Sequence, residues 1–227
     1  MILAAHSPNY LPLVDFFYKM STAGVFVLAD DIQYTKHNFI NRTKIKTSQG
    51  VPWLAVPVRT KGRMGQLINQ IQIDTFQNWR RKHWKTLLVN YKYAAYFEKY
   101  AEFFENLYKK PWSKLVELNL EIIEFIIQSL NISTKIYLSS ELNVTGKGSH
   151  RLIKMLNKLG CDSYLTDQEG KKYLDQCLFK ESGIKLTFFS LKYPVYHQQF
   201  GEFVPALSMV DVLFNEGENS STILFDD

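Results

Sequence analysis

An α/β fold with a largely parallel, Rossmann-like sheet flanked by helices is expected of this chain, because strand-length apolar runs alternate with helix-length segments at both of its ends. Ile2 to Ala5 and Gly24 to Ala29 are continuous apolar runs of the kind buried on both faces of a sheet. A helical segment, Leu13 to Met20, separates them, so the pair forms a βαβ unit with parallel strands. Trp53 to Val58 and Ile68 to Asp74 are further strand signals, joined through the two-glycine stretch Lys61 to Gly65.

From Asn78 the apolar spacing changes to three and four. Trp79, His83, Leu87 and Tyr91, then Phe97, Tyr100, Phe104 and Leu107, then Leu115, Leu118, Ile122 and Ile126 mark successive helices, with Pro111 as punctuation. The alternation then resumes with a strand at Lys135 to Leu138, a helix at Ser149 to Leu159 stopped by Gly160, and a strand at Ser163 to Thr166. A helix at Lys171 to Phe179, a strand at Lys185 to Leu191 and a helix at Leu207 to Phe214 complete it. The expected organisation is one domain over residues 1–227, with a helical insertion at about 78–131.

With 46% hydrophobic residues the chain can build a packed core, which excludes disorder as a reading. Cys161 and Cys177 lie outside any CxxC pair and read as small buried thiols in a reducing compartment. The first residues lack the basic leader of a signal peptide, and no apolar run reaches the length of a membrane span, so a cytoplasmic location without a span is expected.

Charge is unevenly placed. Between Lys36 and Lys92 there are twelve basic residues and a single acid, Asp74. Such a stretch attracts anions, and a small phosphorylated or sugar-nucleotide substrate is the expected partner. Nucleic acid is disfavoured because no RRM, KH or helix-turn-helix signature accompanies the basic residues.

The most informative segment is the polar turn His6-Ser7-Pro8-Asn9-Tyr10-Leu11-Pro12 between the first strand and its helix. Ligands of parallel sheets bind beyond the carboxyl ends of the strands, where His6 would act as base or phosphate contact, the alternative being a histidine satisfied within packing. Asp30 and Asp31 stand at the same end of the second strand, suited to a divalent cation, a substrate amine or general-base work, or simply to capping the turn. Strand alternation sends their carboxylates in opposite directions, so one of them is expected in the crevice. Asn9, Tyr10, Lys36, Asn41, Arg42 and Lys44 are the neighbouring candidates for substrate binding.

Gly146-Lys147-Gly148-Ser149-His150-Arg151 has the glycines, cations and following helix of an anion cradle, with Lys147 and Arg151 as phosphate contacts. Its spacing is not that of a Walker A loop. Tyr196, Glu202 and Asp211, in and after an aromatic-rich segment, are candidates for holding a sugar or base. No GxSxG elbow and no Cys/His cluster occurs, so neither a serine hydrolase nor a zinc site is indicated, and no metal ligands are assigned.

Taken in order, His6 with Pro8-Asn9-Tyr10-Leu11-Pro12, Phe17, Lys19, Val25-Phe26-Val27, Asp30-Asp31, Asn41-Arg42 and Ile45-Lys46-Thr47 resemble the WbqC-like family. The likeness returns at Leu159-Gly160, Tyr164-Leu165, Tyr173-Leu174, Pro194-Val195-Tyr196, Phe200-Gly201-Glu202-Phe203, Pro205, Leu207-Ser208, Asp211 and Leu213-Phe214-Asn215. Ser7, Leu13 and Asp15 depart from the usual pattern. These are bacterial proteins encoded among genes for surface polysaccharide (O-antigen) assembly. The resemblance implies a transferase that moves an aminoacyl group, glycyl for example, or a related acyl group onto a sugar precursor. An ATP-using enzyme of nucleotidylyltransferase-like or ligase type is the alternative, and a nucleic-acid-binding protein the second. ATP and a divalent cation are the cofactors left open.

Overall fold

The computed structural model describes residues 1–225. In chain order the elements are β1 (Ile2–His6), α1 (Val14–Thr22), β2 (Val25–Leu28), β3 (Arg42–Lys44), β4 (Trp53–Ala55), α2 (Trp79–Tyr91), α3 (Phe97–Lys109) and α4 (Leu115–Ser129). They continue with β5 (Lys135–Leu138), α5 (Gly148–Lys158), β6 (Ser163–Asp167), α6 (Gln176–Glu181), β7 (Lys185–Phe189), α7 (Met209–Glu216) and α8 (Ser220–Phe225). The chain divides into two compact units. The first holds residues 1–7, 18–31 and 132–192, and the second holds 8–17, 32–131 and 193–227.

The first unit is built on a five-stranded sheet in the order β5-β2-β1-β6-β7, with every neighbouring pair parallel. The chain moves outward from β1 through β2 to β5, then returns to the other side of β1 for β6 and β7. That is the doubly wound, Rossmann-like order, and it puts the reversal between β1 and β6. β2 is buried along its whole length, which is why its sequence is an unbroken apolar run. Leu3, Val25, Val27 and Tyr164 of the sheet pack with Ile153, Met155 and Leu156 of α5 and Phe179 of α6. Tyr164 and Phe179 stack at 5.8 Å between ring centroids.

In the second unit Phe214 of α7 gathers Tyr91, Phe97 and Phe104 at 5.0 to 5.4 Å between rings. The three-and-four spacing of Phe97, Tyr100, Phe104 and Leu107 puts one apolar face of α3 into that cluster. β3 and β4 form a separate antiparallel pair.

Two expectations need correction. The stretch Ile68 to Asp74 is not a strand: Ile68–Gln70 is a 3-10 turn, tightened because the Gln70 side chain accepts from the Leu67 amide at 3.1 Å, and only the isolated pairings Val58 with Ile73 and Gln72 with Lys114 remain. Of the two free cysteines, Cys161 is buried, but Cys177 is exposed because α6 turns Phe179 inward instead.

Candidate functional site

Polar side chains gather at the carboxyl edge of the parallel sheet. His6 is the last residue of β1, and Asp167, the last of β6, acts on it electrostatically from across the point where the strand order reverses. His6 Nδ1 lies 2.9 Å from the carbonyl oxygen of Ser7, so Nδ1 carries the proton and Nε2 is the basic nitrogen. Burial, reinforced by the nearby Lys19 ammonium, lowers its pKa to about 4. Lys19 is itself buried and donates to the Ala5 carbonyl at 2.9 Å. His6 is therefore a neutral imidazole at physiological pH.

β2 ends at Leu28, so Asp30 and Asp31 sit in a turn. The alternation expected for them does not apply, and both carboxylates meet one hydroxyl, that of Ser139. Asp30 is buried and also accepts from the Ser140 amide at 3.0 Å and the Ser140 hydroxyl at 2.7 Å. Asp31 accepts from Arg151 at 2.5 Å. Burial pushes the Asp31 carboxyl up, but the hydrogen bonds from Arg151 and Ser139 outweigh it and hold the group below its ordinary range.

Arg151 has its Nε directed to the Val144 carbonyl at 3.1 Å. The glycine-rich loop thus uses its arginine to fasten itself to the sheet edge, while Lys147 is exposed. Gly146 and Gly148 both adopt positive φ, which lets the chain turn back over Arg151. Asp167 caps the 3-10 turn Gln168–Lys172 by accepting from the Gly170 amide at 3.0 Å. A Cβ on Gly170 would lie 2.6 Å from the Thr166 side chain, so only glycine fits.

His6, Asp30, Asp31, Lys147 and Arg151 belong to the first unit, and the other candidates to the second. There Asn9 is buried. The loop that carries it is pinned by Asn119, which donates to the carbonyls of Pro8 and Ile40 at 2.8 Å, and by Thr43 and Ser208, which both donate to the Leu11 carbonyl. Tyr10 is fully buried, with its hydroxyl 2.8 Å from His83 Nδ1 and 2.5 Å from the Tyr108 hydroxyl, a packing position with its polar tip satisfied. Asn41 accepts from the Tyr34 hydroxyl and donates to the Val56 carbonyl, both at 2.9 Å. Arg42 lies 4.0 Å over the Trp53 ring and Lys44 5.0 Å from it. Lys36 is exposed.

Asp211 is fully buried and accepts from the Tyr91 hydroxyl at 2.6 Å and the Tyr196 hydroxyl at 2.7 Å. Burial raises its pKa against those donors and the Lys46 charge. Lys46, also buried, donates to Gln198 Oε1 at 3.1 Å and to the Glu202 carbonyl. The Glu202 side chain, expected to meet ligand, belongs to an exposed residue whose contribution to this knot comes through its backbone.

Ser139, Ser140 and Lys19 were not expected at the site. The available signal was position: Ser139-Ser140 directly follows β5, as Asp30-Asp31 follows β2. Among the described residues no group of three or more His, Cys, Asp or Glu side chains is arranged to hold a metal ion. No helix among them is long and apolar enough to cross a membrane.

An uncharacterized protein of Mycobacterium tuberculosis is 34% identical over 218 residues, covering 95% of this chain and 94% of its own length. No solved structure matches the chain. The pattern of the WbqC-like protein family matches residues 7–223, and the chain belongs to that family.

Proposed function

We propose that this protein is a group-transfer enzyme of bacterial surface-polysaccharide biosynthesis that moves an aminoacyl or related acyl group from an activated donor onto a phosphate-bearing sugar precursor. The observation that carries the reading is His6, a neutral imidazole at the reversal point of the sheet with its tautomer set by the Ser7 carbonyl. Nε2 takes the proton of the acceptor hydroxyl or amine as that atom bonds to the acyl carbon. The bond from the acyl carbon to its phosphate, thiolate or alkoxide leaves with its electron pair, and the proton on His6 is returned to the leaving group or to solvent. A base of pKa about 4 is weak, and an anionic substrate beside it corrects that by favouring the imidazolium. Asp30 and Ser140 hold the neighbouring turn, Arg151 and Ser139 position Asp31, and the exposed Lys147 supplies a cation for phosphate.

An ATP-using enzyme of nucleotidylyltransferase-like or ligase type would use the same strand end, with His6 donating a hydrogen bond to the nucleotide phosphates. The hydrogen-bond pattern favours the base role, because the one N–H of the neutral ring is committed to Ser7. The test is a thermal-shift panel of nucleotides, sugar nucleotides and sugar phosphates, followed by transfer assays with acyl phosphate, thioester and ester donors. Turnover that disappears in His6→Gln, with the melting temperature retained, supports the reading. Equal turnover by His6→Gln, or no stabilisation by any phosphate-bearing compound, refutes it.

A further inference from the structure

The second unit contains a cavity of about 170 Å³ between two chain segments that run antiparallel. Ile32 to Tyr34 pairs with Gln66 to Ile68 through Tyr34 N to Gln66 O and Ile68 N to Ile32 O, each at 2.9 Å. The turn after Thr60, closed by a 3.2 Å hydrogen bond from the Arg63 amide to the Thr60 carbonyl, forms the far wall. Lys36 and Arg63 bring two positive charges to the lining, which includes no acid, and the buried Ile71 adds an apolar surface. Arg63 is held by a donation from its Nη1 to Gln72 Oε1 at 3.1 Å.

Gln66, which lines the same cavity, has a side-chain oxygen that is shut off from solvent and accepts no hydrogen bond. Such an acceptor costs stability, and folded proteins leave few of them. The oxygen does not face the cavity as it stands, and turning the amide toward it would let a ligand hydroxyl satisfy the acceptor. Two cations ask for a phosphoryl group, and the orphan acceptor asks for a donor on the same ligand. A volume of about 170 Å³ suits a phosphoryl group with part of a sugar ring.

We propose that this cavity is a binding site for a sugar phosphate, with Lys36 and Arg63 on the phosphoryl oxygens and Gln66 on a ring hydroxyl. The site consists entirely of second-unit residues, so its occupancy does not depend on the role given to His6.

Calorimetric titration of the whole protein with glucose 1-phosphate, inorganic phosphate and glucose tests it. Glucose 1-phosphate should bind more tightly than phosphate, and glucose should give no signal. Lys36→Gln/Arg63→Gln should lose at least tenfold in affinity for both phosphates, with an unchanged melting temperature. Gln66→Leu should weaken glucose 1-phosphate several-fold and leave phosphate unchanged, and His6→Gln should bind both as the wild type does. Absence of binding at millimolar concentration overturns the proposal. So does wild-type affinity in the double variant, or binding lost in His6→Gln alone, which would put the ligand at the sheet edge.

Discussion

Asp31 and Arg151, far apart in sequence, meet at 2.5 Å at the carboxyl edge of the parallel sheet with little exposure on either side chain. The arginine that the glycine loop offers to a phosphate is therefore already neutralised by a carboxylate from the turn after β2, and the loop is anchored by it.

Removing one partner should cost more than removing both. Arg151→Met strands a partly buried carboxylate and should destabilise by about 2 kcal/mol in urea denaturation, whereas Asp31→Asn/Arg151→Met should fall well short of the summed single effects. Because the Asp31 pKa is depressed in the native state, its contribution is present above the ordinary carboxylate range and lost as the pH falls through its native value. That acid-side loss should be smaller in Arg151→Met. Additive single effects would show that the pair is not coupled.

Titration of the His6 ring by NMR should give a midpoint near pH 4, with Nδ1 protonated in the neutral form. Lys19→Met removes a cation that opposes ring protonation, and should move the midpoint upward. A midpoint near 6.5 in the wild type would remove the basis for a neutral base at the sheet edge.

His83 predicts an acid-sensitive fold. Burial lowers its pKa to about 4, against an ordinary 6.5 in the unfolded chain. Between those values the unfolded state binds the extra proton, so stability is complete above pH 6.5 and declines as the pH falls toward 4. The contribution is on the order of 3 kcal/mol at most. His83→Gln should be less stable at pH 7 but show a flatter decline in unfolding free energy over the same interval.

In hindsight β1 and β2 were readable because strands buried on both faces leave unbroken apolar runs, and His6 was readable from its place at the end of one. The Asp30-Asp31 geometry was not, since it depends on β2 stopping at Leu28, short of both aspartates, and on Ser139 arriving from the end of β5. The pairing of Arg151 was hidden for a related reason: a cation in a loop advertises its charge, but its partner comes from another strand end. Tyr10 stood within a polar motif, yet its ring is packed with His83 and Tyr108, contacts that only the tertiary fold supplies.

Lys46 and Asp211 should govern the irregular segment from Tyr193 to Pro205. Lys46 holds it at Gln198 and Glu202, and Asp211 holds it at Tyr196. Lys46→Met or Tyr196→Phe should speed chymotryptic cleavage near the exposed Phe200 several-fold, with Lys46→Met the larger effect because it removes two contacts. Cleavage at the wild-type rate in both variants would mean that the segment is held by packing alone.

The pairing of β1 with β6 also has a consequence for biosynthesis. Ile2 must wait for Ser163 before the central strand acquires its second neighbour. At about 5–20 residues per second of translation, that delay is roughly ten to thirty seconds. During it the apolar β1–β2 ribbon has an open edge that can recruit another nascent chain. Closure of the sheet on that side is thus delayed during synthesis, and yield in cells should respond to translation speed and chaperone supply more than to the stability of the finished protein.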